Sequence, residues 1–354
     1  MADSAETSAT GAAIEIRNSL PVSVNRRVCT ELAGWLRSHV VPPDREEFSL
    51  VGFSPQEIGN FYLLLVAISH QTSPQDVAPL EGFAGGKHVK GWDYLSAKLE
   101  EAVRRDPTIL SPQFWARIDA SDLDNLFRDE SLGNRLTDTG GRGALVRDLG
   151  QRMIQKSWAS ANDIFDSSGG RIDTGSSNLI NELAGFLAYR DPVRKKSYFF
   201  LALMRNSGVW TYKDSERLGA PVDYHEVRGH LRIGTVEVSD PGLQYALVHG
   251  LEVSEDQDIV IRRAVHEALM FLSEASHIRN PSTLHYLFWN VFRSCCTREN
   301  PHCFSCPSTC SLPARYVPLA SFPNGVRHCP FSQICASAGK EPKLREPVVR
   351  TEFY

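Results

Sequence analysis

The sequence predicts an all-α or nearly all-α fold, and three observations carry that prediction. Apolar residues recur at the three- and four-residue spacing of a helix face along most of the chain, whereas period-2 alternation is scarce. Helix-start signals, Ser-Pro-Gln-Glu at 54–57 and Asp-Pro at 191–192, stand directly before such runs. A Gly/Ser-rich stretch at 166–177 reads as a loop and separates the helical segments into two groups, so two lobes with a boundary near 166–177 are expected. A chain of 354 residues is long enough for a sizeable core and one or two domains.

The elements follow in order. Residues 1–20 read as a disordered tail, and the first thirteen (MADSAETSATGAA) are small, polar and slightly acidic. Asn25 to Val40 places Val28, Leu32, Trp35 and Leu36 at helical spacing. Ser54 caps the next helix, with Pro55 in its first turn and Glu57 at the capping-box position; it runs through Phe61–Ile68 and stops around Ser69–Pro74. Helical patterns continue over Gly91–Arg104, Ser111–Ala116, Asp122–Phe127 and Arg142–Ala159. Beyond the loop come Asn178–Leu187, Asp191–Asn206 and Asp223–Leu231, a loop of short strand-like runs over 232–248, then helices at Asp256–Ser276 and Thr283–Phe292. The helical domain thus spans 21–292, and 293–354 form a Cys-rich loop and C-terminal tail.

Composition narrows the class. With 42% hydrophobic and 23% charged residues the chain has ordinary soluble composition. Its longest apolar run, Phe61–Ile68, is far short of the roughly 20 residues that span a bilayer, and the start lacks the charged and apolar regions of a signal peptide. A cytoplasmic protein with no membrane partner is expected, and in that compartment clustered cysteines read first as a metal site. The net charge of −4 gives no global field for phosphates. From Arg190 to Arg232, however, nine Lys/Arg oppose five Asp/Glu, which fits a local phosphate-facing strip or ordinary surface.

Seven of the eight cysteines lie between positions 295 and 335: Cys295, Cys296, Cys303, Cys306, Cys310, Cys329 and Cys335, with Cys29 alone. Four thiolates can hold a [4Fe-4S] cluster. Tetrahedral zinc accepts the same residues, and Cys303-x2-Cys306 is a common zinc half-site.

A second group has chemical potential. Lys195 and Lys196 fall in the first turns of a helix, where a cation opposes the dipole, and Asp223 stands at the start of a later helix. A carboxylate can stabilise positive charge that develops on a bound group. An amine whose pKa is depressed by burial or by a neighbouring cation can act as a nucleophile.

This order of motifs resembles the helix-hairpin-helix DNA glycosylase superfamily. Lys196-x3-Phe200-x3-Met204 and Pro221-Val222-Asp223-Tyr224 are similar to the Lys and Asp elements of archaeal 8-oxoguanine glycosylases. Queuosine-nucleotide salvage hydrolases, with a related helical fold, carry a similar element after the Asp. Ser69-His70-Gln71-Thr72 resembles the Ser-x-Gln of endonuclease III-like enzymes, whose glutamine fills the gap left by a flipped base. Gly91-Trp92-Asp93-Tyr94 resembles an aromatic base-stacking region, and Cys296-x6-Cys303-x2-Cys306 repeats the first three ligand spacings of the endonuclease III iron–sulfur loop.

The resemblance covers about residues 50–335 and implies a two-lobed helix-hairpin-helix glycosylase-like fold with a C-terminal iron–sulfur loop. It implies an N-glycosidase acting on a damaged or modified base in DNA, or on a modified nucleotide, with or without an AP-lyase step. Lys196 would be the nucleophile and Asp223 its electrostatic partner, with Gln71, His70, Trp92 and Lys195 near the base or nucleic acid. The cluster ligands would be Cys296, Cys303, Cys306 and Cys335, with Cys329 as the alternate to Cys306 and Cys310 less favoured.

Two departures stand out. The hairpin glycines are replaced by Ala188-Tyr-Arg-Asp-Pro-Val-Arg194, and the family's final Cys-x5-Cys occurs only after an insertion, as Cys329–Cys335. They leave open a non-catalytic iron–sulfur protein that binds nucleic acid or senses redox state, and a nucleotide hydrolase without a lyase step.

Overall fold

The computed structural model describes residues 21–40, 50–73, 78–278, 280–307, 311–321 and 326–354. The expected tail at 1–20 and Cys310 lie outside them. The described chain is mostly helical with two small antiparallel sheets, in agreement with the sequence. Among the described residues no helix is long and apolar enough to cross a membrane.

In chain order, strand β1 (Val22–Val24) leads into α1 (Arg26–His39), and α2 (Pro55–Ile68) follows. The capping box expected at Ser54 is formed: Ser54 Oγ accepts the Glu57 amide, and Glu57 accepts the Ser54 amide. Ten consecutive residues of α2, Gly59–Ile68, are buried, as for a helix running through the middle of a core. The hairpin β2 (Glu81–Ala84) and β3 (Lys87–Lys90) was not expected, although its Gly85-Gly86 turn, both at positive φ, is a hairpin signal. Then come α3 (Gly91–Arg105), α4 (Pro112–Trp115), α5 (Ala120–Leu126), α6 (Thr139–Gln155), α7 (Ala161–Ser167), α8 (Leu179–Ala184) and α9 (Lys195–Asn206).

Helix α10 (Tyr224–Ile233) opens the C-terminal part, with β4 (Val236–Val238), α11 (Pro241–His249), α12 (Glu255–Ala275) and α13 (Pro281–Ser294). The second half of the region expected as strand-like loop is helix α11, which Asp240 caps by accepting the Leu243 amide, with Pro241 in the first turn, while the first half holds the short strand β4.

Two hydrophobic cores divide the molecule. One runs from Leu50 to Leu218; the other joins Val22–Leu36 to residues from Ala220 onward. The exchange therefore falls at 218–220 and not at 166–177. That Gly/Ser-rich loop is tied into the first core by Asp214, whose carboxylate accepts the amides of Ile172, Asp173 and Thr174 at 2.6, 3.2 and 3.1 Å. The second core closes through β1 on β4, with Val22 opposite Val238 and Val24 opposite Val236.

Candidate functional site

The first residues of α9 and α10 lie within electrostatic range of each other, through Lys195 and Asp223. Helix α9 starts at Lys195, four residues later than the Asp-Pro signal suggested: Arg194 takes left-handed backbone (φ 63°) and breaks the helix there. Asp191 still closes its end. Its carboxylate accepts the amides of Val193 and Lys195 at 3.0 and 2.8 Å. On its other side Arg262 Nη1, from α12, donates to both oxygens at 2.9 Å. Arg262 Nε also donates to Asp258 at 2.9 Å, and the Tyr354 hydroxyl donates to Asp258 at 2.5 Å, so a buried network joins the segment before α9, α12 and the C-terminal segment.

Lys196 does not face Asp223. Its side chain is fully buried, its Nζ donates to the Ala67 carbonyl at 2.7 Å, and it lies 3.3 Å from His70 Nδ1. Arg142 donates to the carbonyls of Ile68 and His70. Lys196 and Arg142 together satisfy the exposed carbonyl end of α2, which a helix C-terminus requires. Burial, then Lys195 and Arg142, hold the Lys196 amine well below the usual lysine range, and burial with Lys196 does the same to His70. Lys196 and His70 thus lie behind the site, in the first core.

Lys195 is the lysine that Asp223 acts on. Burial lowers its pKa, and Asp223 followed by Asp191 opposes that shift. Its ammonium lies 5.0 Å from the centre of the Phe199 ring, and Phe199 meets Trp92 edge-on at 4.7 Å. Asp223 caps α10 through Oδ1, which accepts the amides of His225 and Glu226 at 2.8 and 3.2 Å. Beside it Tyr224 is hydrogen-bonded to Thr72, and Thr72 lies against Gly91, whose positive φ (54°) lets α3 begin there. Gln71, at φ 46°, gives its amide to Tyr354 O at 3.0 Å and its Nε2 to Val349 O at 3.3 Å. Gln71, Trp92, Lys195 and Asp223 are therefore neighbours around one seam.

The basic run at 190–232 does not form a continuous phosphate-facing strip, because Lys195, Lys196, Arg228 and Arg232 are buried. Sequence reasoning also missed Phe199, Asp191, Arg262 and Glu226. Phe199 had a signal: it lies one turn after Lys195, on the same helix face.

At the far end of α10, a small hollow is lined by Cys295, Cys296, Cys303, Cys329 and Cys335 together with Phe292, Phe331 and Arg232. Cys306 is outside this lining, and its amide donates to Arg327 O at 2.7 Å. Of the two ligand sets left open by the spacing, the hollow brings together the one with Cys329. Arg232 Nη1 lies 3.4 Å from Cys296 Sγ, and the Cys335 thiol donates to Arg232 O at 3.3 Å. Burial pushes the Cys335 thiol up to about 11, with Cys296 and Cys303 adding to the shift. Burial and the thiols of Cys295, Cys296 and Cys335 raise Cys329 well above the ordinary range. Such thiols ionise together only if a positive centre shares them, which is the chemistry of a metal-binding donor set. Among the described residues none of the cysteines is in a disulfide, and no three His, Cys, Asp or Glu groups converge as one metal ion requires. Cys29, buried in the second core with its thiol pushed up to about 11, is not among the residues lining the hollow.

Compared with protein-family models the chain matches none, and no curated protein matches it either.

Proposed function

We propose that this protein cleaves an N-glycosidic bond, with Lys195 as nucleophile and Asp223 as the carboxylate that stabilises charge on the sugar, in a helix-hairpin-helix glycosylase-like fold. The observation that carries this reading is the buried Lys195 amine, over the Phe199 ring of the Trp92–Phe199 pair, on which Asp223 acts more strongly than any other nearby charge. A bond forms from the Lys195 nitrogen to C1′ as the bond to the base breaks. Its electron pair leaves on the base, which takes the proton that the amine gives up. The aromatic pair offers a face on which a base can stack.

For the cysteine hollow the reading is a [4Fe-4S] cluster held by Cys296, Cys303, Cys329 and Cys335, which would anchor the C-terminal loop and supply a one-electron redox centre; a zinc ion on the same thiolates is the alternative.

The hairpin favours a modified nucleotide over duplex DNA as substrate. In a glycine-rich hairpin the backbone amides approach a DNA phosphate; here Asp191, locked to Arg262, already accepts those of Val193 and Lys195. Borohydride trapping on abasic and oxidised-base DNA, with hydrolysis of free nucleotides in parallel, tests both readings. A covalent adduct lost in Lys195→Gln supports the nucleophile. Turnover of nucleotides that survives Lys195→Gln but not Asp223→Asn identifies a hydrolase without a lyase step. No turnover and no adduct on either substrate class overturns the proposal.

A further inference from the structure

The C-terminal segment runs from the cysteine loop onto the seam. Its start is pinned: Arg232 Nε donates to Leu344 O at 2.8 Å, and the Glu346 carboxylate lies 2.9 Å from Arg228 and 2.6 Å from Arg298. Val348 O accepts the Val253 amide at 2.9 Å. Beyond this point Arg350 and Glu352 are exposed, whereas Tyr354 is buried and anchors the segment. The Tyr354 hydroxyl donates to Asp258 at 2.5 Å, and the Arg262 guanidinium lies 4.7 Å from the centre of its ring. Arg262 has no exposed surface; its Nη1 pairs with Asp191 at 2.9 Å, and Asp191 accepts the Lys195 amide at 2.8 Å.

The same segment grips Gln71, which gives its amide to Tyr354 O at 3.0 Å and its Nε2 to Val349 O at 3.3 Å. Gln71 stands in left-handed backbone (φ 46°), a conformation that residues other than glycine keep where surrounding contacts over-determine it. Here the over-determining contacts come from residues 349–354, an exposed span held by one buried aromatic ring. A strained residue fastened to a lightly anchored segment is the make-up of a switch.

We propose that residues 349–354 form an autoinhibitory strap that closes the seam over Gln71 and Lys195, and that withdrawal of Tyr354 from Asp258 and Arg262 opens it to substrate. Glu346 and Val348 stay in place as its fixed side. Release lets Gln71 relax to ordinary backbone and frees its side-chain amide from Val349.

This role rests on the seam of Lys195 and Asp223 being the working site of the proposed function, yet its test needs no substrate. Hydrogen exchange of full-length protein is followed by mass spectrometry at the Gln71 amide and at amides inside α2, over a urea series below the unfolding transition. A strap that lifts by itself lets the Gln71 amide exchange at least about a hundredfold faster than α2, with no response to urea. A Gln71 amide that exchanges together with α2, at the same urea slope, overturns the strap. Tyr354→Phe removes a hydrogen bond to a charged acceptor and raises Gln71 exchange at least about tenfold. In a short pulse of acetic anhydride Lys195 is then labelled about tenfold faster than in the parent, while Lys196, in the first core, stays unlabelled. An unchanged Lys195 rate overturns the closure of the seam, and labelling of both lysines together marks unfolding and overturns it too. If Tyr354→Phe does not fold, the parent exchange profile decides. Strap signals without turnover on nucleotides or DNA remove the proposed function alone, and turnover with a Gln71 amide tied to α2 removes the strap alone.

Discussion

Replacing Asp191 by Asn perturbs the junction that holds the segment before α9 to α12. Asn keeps the shape, but only its Oδ1 can still accept. The Nδ2 that replaces the second oxygen is a donor, so one of the Val193 and Lys195 caps and one of the two contacts to Arg262 Nη1 are lost, and the remaining Arg262 contact loses its charge. Hydrogen bonds to a charged group contribute about 1.5–3 kcal/mol, and breaking a fully buried ion pair costs about 3–5 kcal/mol. Both groups have no side-chain exposure, so solvent screening does not discount the loss, while Asp258 remains to share the Arg262 charge. The expected loss is therefore near the lower end, about 3 kcal/mol. With a urea dependence of about 3 kcal/mol per molar, the midpoint followed by tryptophan fluorescence falls by about 1 M. A fall below about 0.3 M, the scale of an exposed pair, refutes the claim that this network fastens the two cores together.

Other expectations follow from the same geometry. Lys196→Met loses one hydrogen bond and lowers stability by about 1–2 kcal/mol in urea titration, yet keeps any borohydride adduct that Lys195→Met abolishes. Cys329→Ser and Cys296→Ser lower the iron content of anaerobically purified protein severalfold, whereas Cys306→Ser leaves it near the parent value. Glu346, paired with Arg228 at 2.9 Å and Arg298 at 2.6 Å, is held below the usual carboxyl range by those cations against the cost of burial. Its folded pKa is depressed, so its stabilisation is present above the unfolded carboxyl value and is lost as pH falls through the folded one. Glu346→Gln accordingly flattens the acid limb of a stability-versus-pH curve.

Much of the secondary structure was legible because local chemistry decides it: the Ser54 capping box and the helices at 26–39, 91–105 and 255–275 stand close to where caps and apolar spacing put them. Which of the two lysines lies within range of Asp223 was not legible, for a physical reason. Lys196, Phe200 and Met204 recur every four residues, and all three are fully buried, so their spacing marks the core face of α9. Lys195 and Phe199 form the adjacent face, and which face meets Asp223 depends on packing between the cores. Local reading left Cys306 and Cys329 as alternatives, because Cys329 is far from Cys303 in sequence and only packing brings it to the hollow. The loop at 166–177 looked like a linker by composition, yet the distant Asp214 fixes it.

The pairing of β1 with β4 joins residues more than two hundred positions apart and makes the second core discontinuous. On a ribosome the continuous stretch 50–218 can condense as soon as it emerges, while α1 waits for α12 to be synthesised. The seam holding Lys195 and Asp223 is therefore the last part to form. Until then the apolar face of α1 is uncovered, and slow elongation over the final third of the chain prolongs its exposure to aggregation.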